Sequence, residues 1–178
     1  QGEKNILENF SSSIILRPSI IFGPGEKFFN TFATLAQFSP IIPLIGGGKT
    51  KFAPIYVGDV VEAITKTLEF NNSKTKVYEL GGPENFSFKE LMEILLKEIK
   101  KQRFLVSIPY GFAKIQSYFL QFLPQPLLTP DQVDILKYNN IVSGDYPVLK
   151  DLGISGKTIQ SILPQYIYRH RTYGEFNK

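Results

Sequence analysis

The chain has 178 residues, of which 43% are hydrophobic and 20% are charged, which is enough for one compact core and excludes a disordered or fibrous chain. It contains no cysteine, and this excludes a disulfide, a thiolate metal site and a cysteine nucleophile. The net charge of +4 is mild and comes without an arginine-rich run, so we expect solvated surface lysines and no nucleic-acid partner.

The first third of the chain predicts a helix, a strand and a second helix. Residues 1–9 have apolar side chains at helical spacing, and helical periodicity returns over 28–38. Between them, the continuous apolar run Ile14-Ile15-Leu16 indicates a strand covered on both faces, as in parallel sheets. Pro18 cannot continue a central ladder, so we expect the strand to end there, before a turn at Phe22–Gly25.

The middle of the chain predicts a hairpin followed by a helix. Two extended segments, 41–44 and 52–57, flank Gly46-Gly47-Gly48, which favours a hairpin or a tight excursion of the chain. Asp59 followed by Glu62 predicts a capping box with Asp59 as the N-cap. The apolar residues expected to face inward from this helix are Val60, Val61, Ile64 and Leu68.

The second half alternates strands and helices and ends in helices. The predicted elements are a strand at 77–80, a helix after the capping box Ser87/Glu90 with an apolar stripe to Ile99, a strand at 104–108, a helix at 110–122, a helix opened by Thr129-Pro130, and a last helix from Ser155 to about Tyr168. This alternation predicts an α/β fold with a parallel sheet. Two or three parallel strands are few for an independent sheet, which indicates the end of a larger fold.

The most informative segment is the predicted strand 14–16 together with the loop that follows it. In open α/β sheets, ligands bind at the carboxyl ends of the strands. Pro18 directs the backbone out of the sheet, while Gly23 and Gly25 let the chain fold back close to a ligand. By themselves these residues are also compatible with a purely structural turn.

Several segments resemble extended short-chain dehydrogenases/reductases. Leu16-Arg17-Pro18 with Phe22-Gly23-Pro24 resembles the Arg-Pro/Tyr-Gly-Pro loop of that family, and Gly2-Glu3 resembles the helix after its catalytic YxxxK. Pro54 to Val60 resembles its strand–Asp–helix element, and Val77 to Pro83 its last parallel strand. The resemblance keeps the family's order over roughly residues 2–170.

The likeness is strongest to an atypical branch, the nucleotide-binding accessory subunits of respiratory complex I and their bacterial homologues. The segments that carry it are Phe28-Phe29-Asn30, Pro54 to Val57, Gly81 to Glu84, Leu128 to Val133 and Asp151 to Ile154. The resemblance implies the C-terminal part of a Rossmann-type parallel sheet, with strands at about 12–17 and 76–80. It also implies a small, mostly helical substrate or lid subdomain at about 20–58 and 84–170, with the N-terminal dinucleotide-binding half absent.

The same resemblance implies the site residues. The catalytic Tyr/Lys pair is expected upstream of Gln1, so none is predicted in this chain. The cofactor edge is predicted, through backbone groups beside a nicotinamide, at Pro18, Ser19, Ile20 and Ile21. The adjoining substrate pocket is predicted at Phe22, Phe28 and Phe52. We expect NAD(P) in the full-length parent and no tight binding of it by this chain alone.

Two departures argue against a standard nucleotide-sugar enzyme. Such epimerases usually carry an Asn where this loop has Ser19 to Ile21, and an Arg where this chain has Phe52. Lys51 is adjacent to Phe52, but neighbouring strand residues point to opposite faces. The missing arginine matters because a guanidinium can hold a diphosphate through two parallel charge-assisted hydrogen bonds. Gly46-Gly47-Gly48 lacks the strand–helix context of a phosphate-binding loop and is interpreted as a turn.

Other candidate residues have simpler interpretations. His170 is the only histidine and is expected at the surface near a polar tail that begins at Thr172. Asp131 and Asp134 favour the dipole of their helix over a metal, and no metal site is predicted. The aromatic stretch 110–128 is interpreted as core packing, with a docking face for a partner subunit or a membrane surface as the alternative.

Three functions stay open at this point. The first is an assembly role, with a largely structural nicotinamide dinucleotide, in a subunit related to complex I and located on the cytoplasmic or matrix side, peripheral to the inner membrane. The second is an active epimerase, dehydratase or reductase whose Tyr/Lys pair lies upstream. The third is a stand-alone interaction domain without nucleotide. A severed sheet edge would also favour self-association.

Overall fold

The computed structural model describes residues 2–10, 12–69, 76–120 and 129–171, with only the backbone described at 119 and 120. The helices are α1 Gly2–Asn9, α2 Phe28–Phe38, α3 Val57–Leu68, α4 Phe88–Glu98, α5 Tyr110–Leu120, α6 Pro130–Ile135, α7 Ile159–Ile162 and α8 Pro164–Ile167. The strands are β1 Ile14–Pro18, β2 Ile21–Phe22, β3 Ile41–Ile45, β4 Lys51–Phe52, β5 Ile55–Tyr56, β6 Lys76–Leu80, β7 Phe86–Ser87 and β8 Phe104–Ile108. Short 3₁₀ turns lie at Gly46–Gly48, Leu149–Leu152 and Tyr168–His170.

Two five-residue parallel pairs organise the strands. β1 pairs with β6 from Ile14↔Lys76 to Pro18↔Leu80, and β3 pairs with β8 in the same parallel sense. The predicted α/β class with parallel strands is confirmed, and Pro18 is the last residue of β1 as expected. Within the described ranges the strands form four separate two-stranded sheets, and in β1 only Ile15 is buried.

The hairpin predicted around Gly46–Gly48 is wrong, whereas the alternative, a tight excursion of the chain, is present as a 3₁₀ turn. β3 pairs with β8, while β4 pairs antiparallel with β7 and β5 pairs parallel with β2. The three glycines form a 3₁₀ turn in which all three φ angles are positive, at 60°, 72° and 67°. The turn lies under Tyr110, whose ring would be 2.2 Å from a Cβ added at Gly46. Gly46 is therefore needed for the close approach of Tyr110, and the three glycines do not connect two paired strands.

The predicted capping box of α3 is also wrong. The helix begins at Val57, three residues earlier than expected, and Asp59 lies in its first turn with 3% of its surface exposed. Its Oδ2 accepts a hydrogen bond of 2.7 Å from the backbone N–H of Lys157. Asp59 therefore joins α3 to a distant segment of the chain instead of capping its own helix.

The inward face of α3 differs from the predicted one. Ala63 and Thr67 are buried, whereas Val61, Ile64 and Leu68 are 56%, 43% and 80% exposed. Of the four predicted apolar residues, only Val60 packs against a buried cluster. Two apolar stripes are compatible with this helix, and the tertiary packing selects the one with smaller side chains.

The main core lies between α2, α4, β3 and the C-terminal helices. α4 opens with the predicted capping box, in which Ser87 accepts from the N–H of Glu90 and Glu90 accepts from the N–H of Ser87. The predicted apolar stripe of α4 is confirmed, because Phe88, Leu91, Met92, Leu95 and Ile99 are all at most 2% exposed. Full burial of each such side chain contributes about 1.5–3 kcal/mol.

Two smaller clusters complete the packing. One surrounds Ile55, Tyr78 and Leu80 under the 3₁₀ turn Leu149–Leu152. The other joins Ile45 to α5 and α6, and α6 opens with the predicted capping box. No helix in the described part of the chain is long and apolar enough to cross a membrane.

The last helix begins later than predicted. It opens at Ile159 after the N-cap Thr158, not at Ser155, and is interrupted before Pro164. The backbone of Lys157 is bound to Asp59, which keeps the preceding residues outside the helix.

Candidate functional site

A cleft of about 140 Å³ lies at the carboxyl ends of β1 and β6. Its lining residues are Arg17, Pro18, Ser19, Glu79, Leu80, Asn140, Ile141 and Val142. This is the edge at which parallel α/β sheets bind ligands. Two of the four residues predicted for the cofactor edge, Pro18 and Ser19, therefore line a cleft at the expected place.

Ser19 is fixed by three hydrogen bonds. Its N–H donates to the Leu80 carbonyl at 3.0 Å, its hydroxyl donates to the Asn140 carbonyl at 2.7 Å, and its Oγ accepts from the Ala53 N–H at 3.1 Å. The residue is only 9% exposed. Its side chain joins three chain segments at the floor of the cleft, so it supports the shape of the site instead of offering a free hydroxyl.

Ile20 and Ile21 lie outside the cleft lining. The Ile20 carbonyl accepts from the Ile55 N–H at 2.9 Å, and the Ile20 side chain packs on the main core. Ile21 belongs to β2 and is 36% exposed. Their contact with a cofactor stays a prediction.

Arg17 is the strongest positive charge at the cleft, and the sequence prediction did not include it among the site residues. Its Nε donates to Glu3 at 2.9 Å, a second guanidinium nitrogen bonds the other Glu3 oxygen, and Nη1 lies 4.0 Å from Glu79. The guanidinium also stacks 4.7 Å from the ring centroid of Tyr146. Hydrogen bonding to Glu3 raises the pKa of Arg17 further, and the same contact lowers the pKa of Glu3.

The other side of the cleft comes from a remote segment that the prediction missed. Asn140, Ile141 and Val142 lie more than 100 residues after β1. The Asn140 N–H donates to the Lys51 carbonyl at 2.8 Å, which places this segment over the strands. No motif in the sequence marks these residues, because their position beside the cleft depends only on which distant segment of the chain packs there.

The three aromatic residues predicted for a substrate pocket lie in the main core. Phe22 and Phe52 are 0% and 4% exposed, and the ring of Phe28 lies between them and α4, with its centroid 6.3 Å from that of Phe52. Lys51 is exposed while Phe52 is buried, so the two point to opposite faces as expected. A substrate role for these rings stays a prediction, and their present contacts are with other core side chains.

A partly buried carboxylate fixes the loop after β2. Glu26 accepts from the N–H groups of Phe29 at 2.9 Å and Asn30 at 3.2 Å, and Tyr166 donates to it at 3.4 Å. Burial raises the pKa of Glu26, and burial together with the negative charge of Glu26 raises the pKa of Tyr166. The pair connects the loop containing Gly23 and Gly25 to the C-terminal helices.

His170 is hydrogen-bonded rather than a free surface residue. Its Nε2 lies 3.0 Å from Asn30 Oδ1, and its Nδ1 lies 3.1 Å from Gln37 Nε2. The neutral imidazole with its proton on Nε2 satisfies both bonds. Burial, and then the charge of Arg169, lowers the pKa of His170. It shares no hydrogen bond with the cleft residues described above.

The remaining predicted residues have structural roles. Asp134 binds Lys114 at 2.7 Å and Lys137 at 2.6 Å, and no group of three metal-ligating side chains occurs in the residues that the structure describes. On α5, Phe112 and Ile115 are both 62% exposed, so core packing was a wrong prediction for these two. The rest of that aromatic stretch, at 119–128, lies outside the described side chains, as does the tail from residue 172.

Comparisons with known proteins find similarity to a dehydrogenase/isomerase family and to subunits named for NADH dehydrogenase. Residues 5–82 match the 3-beta hydroxysteroid dehydrogenase/isomerase family. The chain is 30% identical to "NADH dehydrogenase [ubiquinone] 1 alpha subcomplex subunit 9, mitochondrial" of Arabidopsis thaliana, over 97% of this chain and 46% of that protein. The Mus musculus protein of the same name is 31% identical, with 97% and 46% covered. The chain thus spans about half the length of the curated relatives it matches.

Solved structures agree on the fold. A dTDP-glucose 4,6-dehydratase from Streptomyces venezuelae, solved with NAD and TYD bound, superposes with a TM-score of 0.59 and 16% identity, over 86% of this chain and 42% of that one. A UDP-glucose 4-epimerase from Thermotoga maritima gives a TM-score of 0.59 and 15% identity, over 93% and 48%. These matches confirm the predicted resemblance: the chain is similar, over about half their length, to extended short-chain dehydrogenase/reductase-like proteins and to subunit 9 of the complex I alpha subcomplex.

Proposed function

We propose that this chain is the C-terminal half of an NAD(P)-binding subunit related to respiratory complex I, in which the dinucleotide has a largely structural role. The missing half would hold most of the dinucleotide, and this half would complete the pocket. β1 and β6 would be the last strands of the Rossmann-type sheet, with the substrate or lid subdomain at about 20–58 and 84–170. The protein would lie peripheral to the inner membrane.

The cleft at the carboxyl ends of β1 and β6 is the single observation that carries this proposal. It lies where dinucleotides bind in parallel sheets, and Pro18 and Ser19 line it. The related dehydratase structure contains NAD. The nicotinamide end would contact the cleft at Pro18 and Ser19 through backbone groups, since the Ser19 hydroxyl is bonded within the protein.

A structural role for the cofactor is favoured over turnover of a nucleotide sugar. The position at which such enzymes carry an arginine holds Phe52, which is 4% exposed in the main core. A diphosphate needs a directional cationic partner, and the exposed Lys51 lies on the opposite face. Relatives bearing the name of a complex I subunit fit an assembly role.

The experiment is a titration of NADPH, followed by its fluorescence, with the full-length protein and with the 178-residue chain. We expect saturable binding by the full-length protein and none by the chain alone. Tight binding by the chain alone would contradict the assignment, as would absence of binding by the full-length protein, which would favour a stand-alone interaction domain.

A matched pair of variants locates the pocket. In the full-length protein, Ile141→Trp fills the cleft and is expected to weaken NADPH binding. The control Ile64→Trp adds the same bulk to α3, where Ile64 is 43% exposed and outside the cleft, and is expected to leave binding unchanged. Equal affinities for the two variants would place the dinucleotide elsewhere.

An active oxidoreductase is the second candidate, because residues 5–82 match a dehydrogenase/isomerase family. Its discriminating feature is an intact YxxxK motif upstream of this chain, since proton transfer needs that Tyr/Lys pair. Substrate-dependent formation of NADH or NADPH, lost on Tyr→Phe in that motif, would favour the enzyme. Co-migration of the protein with complex I on a native gel would favour the assembly role.

A further inference from the structure

An exposed apolar patch lies at the start of the β3–β8 sheet. It consists of Phe38, Ile41, Phe104 and Val106, which are 83%, 45%, 74% and 41% exposed. Ile41 and Phe104 are register partners, and Phe38 ends the helix that leads into β3. The opposite face of the sheet is in the main core, through Ile42 and Leu44. The sheet is therefore apolar on both faces, and among the described residues one end of its outer face stays exposed.

A basic cluster lies in the segment that precedes Phe104 and in a second segment that contacts it through Arg171 and Glu98. It consists of Lys97, Lys100, Lys101, Arg103, Arg169 and Arg171. The segments 97–103 and 169–171 contain six basic residues and one carboxylate, a formal charge of +5, whereas the whole chain carries +4. The positive charge of this protein is thus concentrated in one place, and the remaining residues are close to neutral.

Direct contacts hold the two basic segments beside the patch. The Arg103 Nε donates to the carbonyl of Ala36 at 2.7 Å, two residues before Phe38. The Arg171 Nε donates to the Glu98 carbonyl at 2.8 Å, and its Nη2 lies 3.6 Å from the Glu98 carboxylate. Glu98 is the one carboxylate of the two segments, and it is already paired.

Besides the apolar patch and the basic cluster, this region has a cleft of about 280 Å³ lined by Gln102, Arg103 and Phe104. Arg103 bonds the carbonyls of Ala36 and Gln102, which uses two of its five N–H groups on neutral acceptors. An arginine with further donors at a cleft, beside an exposed aromatic ring, matches the phosphate and acyl boundary of a lipid.

We propose that this face binds the surface of a bilayer containing anionic phospholipids. Phe38 and Phe104 would enter the boundary between headgroups and acyl chains, while the basic cluster would contact lipid phosphates. Rings exposed to 83% and 74% project from the surface, and this favours a bilayer over a protein groove shaped to receive them. The surface is separate from the dinucleotide cleft, and the proposal rests on the peripheral membrane location proposed above, whereas NADPH binding tests the cleft alone.

The test is co-sedimentation of the full-length protein with phosphatidylcholine vesicles, with and without phosphatidylglycerol. We expect binding only with phosphatidylglycerol, and a decrease as salt is added. Phe38→Ser with Phe104→Ser should weaken it roughly tenfold or more, because two aromatic rings no longer leave water. Lys97→Gln with Lys101→Gln should weaken it by roughly tenfold and flatten the salt dependence.

Two matched controls make the result specific. Phe112→Ser with Ile115→Ser removes apolar surface that is 62% exposed on α5, and Lys27→Gln with Lys150→Gln removes two exposed cations outside the cluster. Both should leave vesicle binding unchanged, with folding of every variant verified by circular dichroism. The proposal is overturned if the wild type ignores the anionic vesicles, or if the α5 variant loses binding while the patch variants keep it. It is also overturned if the cluster binds polyglutamate but the phenylalanine substitutions do not affect vesicle binding, which would indicate an acidic protein partner.

Discussion

The two five-residue parallel strand pairs have the same length and sense, yet their carboxyl ends differ. At the end of β1–β6 the chain leaves a cleft of about 140 Å³ beside Pro18 and Ser19. At the end of β3–β8 the ring of Tyr110 lies directly against Gly46, and its hydroxyl donates to the Leu136 carbonyl at 3.0 Å. The carboxyl edge of a parallel sheet therefore leaves room for a ligand only where no side chain of the protein itself fills it.

We expect the largest loss of stability at Gly82, where the backbone after β6 lies directly against the backbone of Pro54. A Cβ added at Gly82 would lie 1.9 Å from the Pro54 carbonyl oxygen, which cannot rotate away. We expect Gly82→Ala to lower the free energy of unfolding by about 3 kcal/mol or more, measured by denaturant titration. The control Gly111→Ala, with no atom within 4 Å of its added Cβ, should change it by less than about 1 kcal/mol. Equal losses would show that the contact at Gly82 is not the cause.

A substitution at the filled end of β3–β8 should lower the free energy of unfolding by less, because the atoms that it meets belong to a side chain, which can move. Gly46→Ala places a Cβ 2.2 Å from the far end of Tyr110 and is expected to cost about 2 kcal/mol, since φ is also positive there at 60°. Part of this loss should be absent when Tyr110→Ala is introduced first. A double-mutant cycle measures this coupling, and additive losses would contradict it.

The polar floor of the open cleft gives the next largest effect. Ser19→Ala removes the hydroxyl that binds the Ala53 N–H and the Asn140 carbonyl, which stay bonded to each other at 3.1 Å, and we expect a loss of about 1 kcal/mol in the free energy of unfolding. Ser161→Ala removes an exposed hydroxyl that donates to the Thr158 carbonyl and serves as the control. A change of similar size in both variants would refute a special role for Ser19.

The smallest expected effect is a pH dependence of the free energy of unfolding. It comes from His170, which contacts the end of α2 that leads into β3. The pKa of His170 is lowered below 6.5 because burial and Arg169 disfavour the charged ring. The unfolded chain then binds the proton more readily, so stability is intact above 6.5 and decreases as pH falls through 6.5 toward the folded pKa. Denaturant titrations at several pH values should show this slope, reduced in His170→Gln. An unchanged slope in the variant would assign it to other groups.

The sequence predicted helix starts and buried helix faces correctly where the contacts that fix them are local. The capping boxes at Ser87 and Thr129 and the stripe of α4 are present as predicted, because they depend on side chains three or four residues apart. The hairpin at Gly46–Gly48 and the N-cap at Asp59 were wrong because both segments are fixed by contacts with remote residues. Their partners, Tyr110 and Lys157, are distant in the sequence, and a local pattern does not contain them.

The sequence by itself determined the α/β class, the lip at Pro18 and Ser19 and the resemblance to extended short-chain dehydrogenases/reductases, since these depend on continuous segments and their order. Only the tertiary structure decided that Asn140 to Val142 close the cleft, that Phe22 and Phe52 pack in the core, and that Arg171 contacts the basic segment before Phe104. The physical reason is that burial and electrostatic proximity are set by which segments meet in space, and these segments are 70 to more than 120 residues apart in the chain.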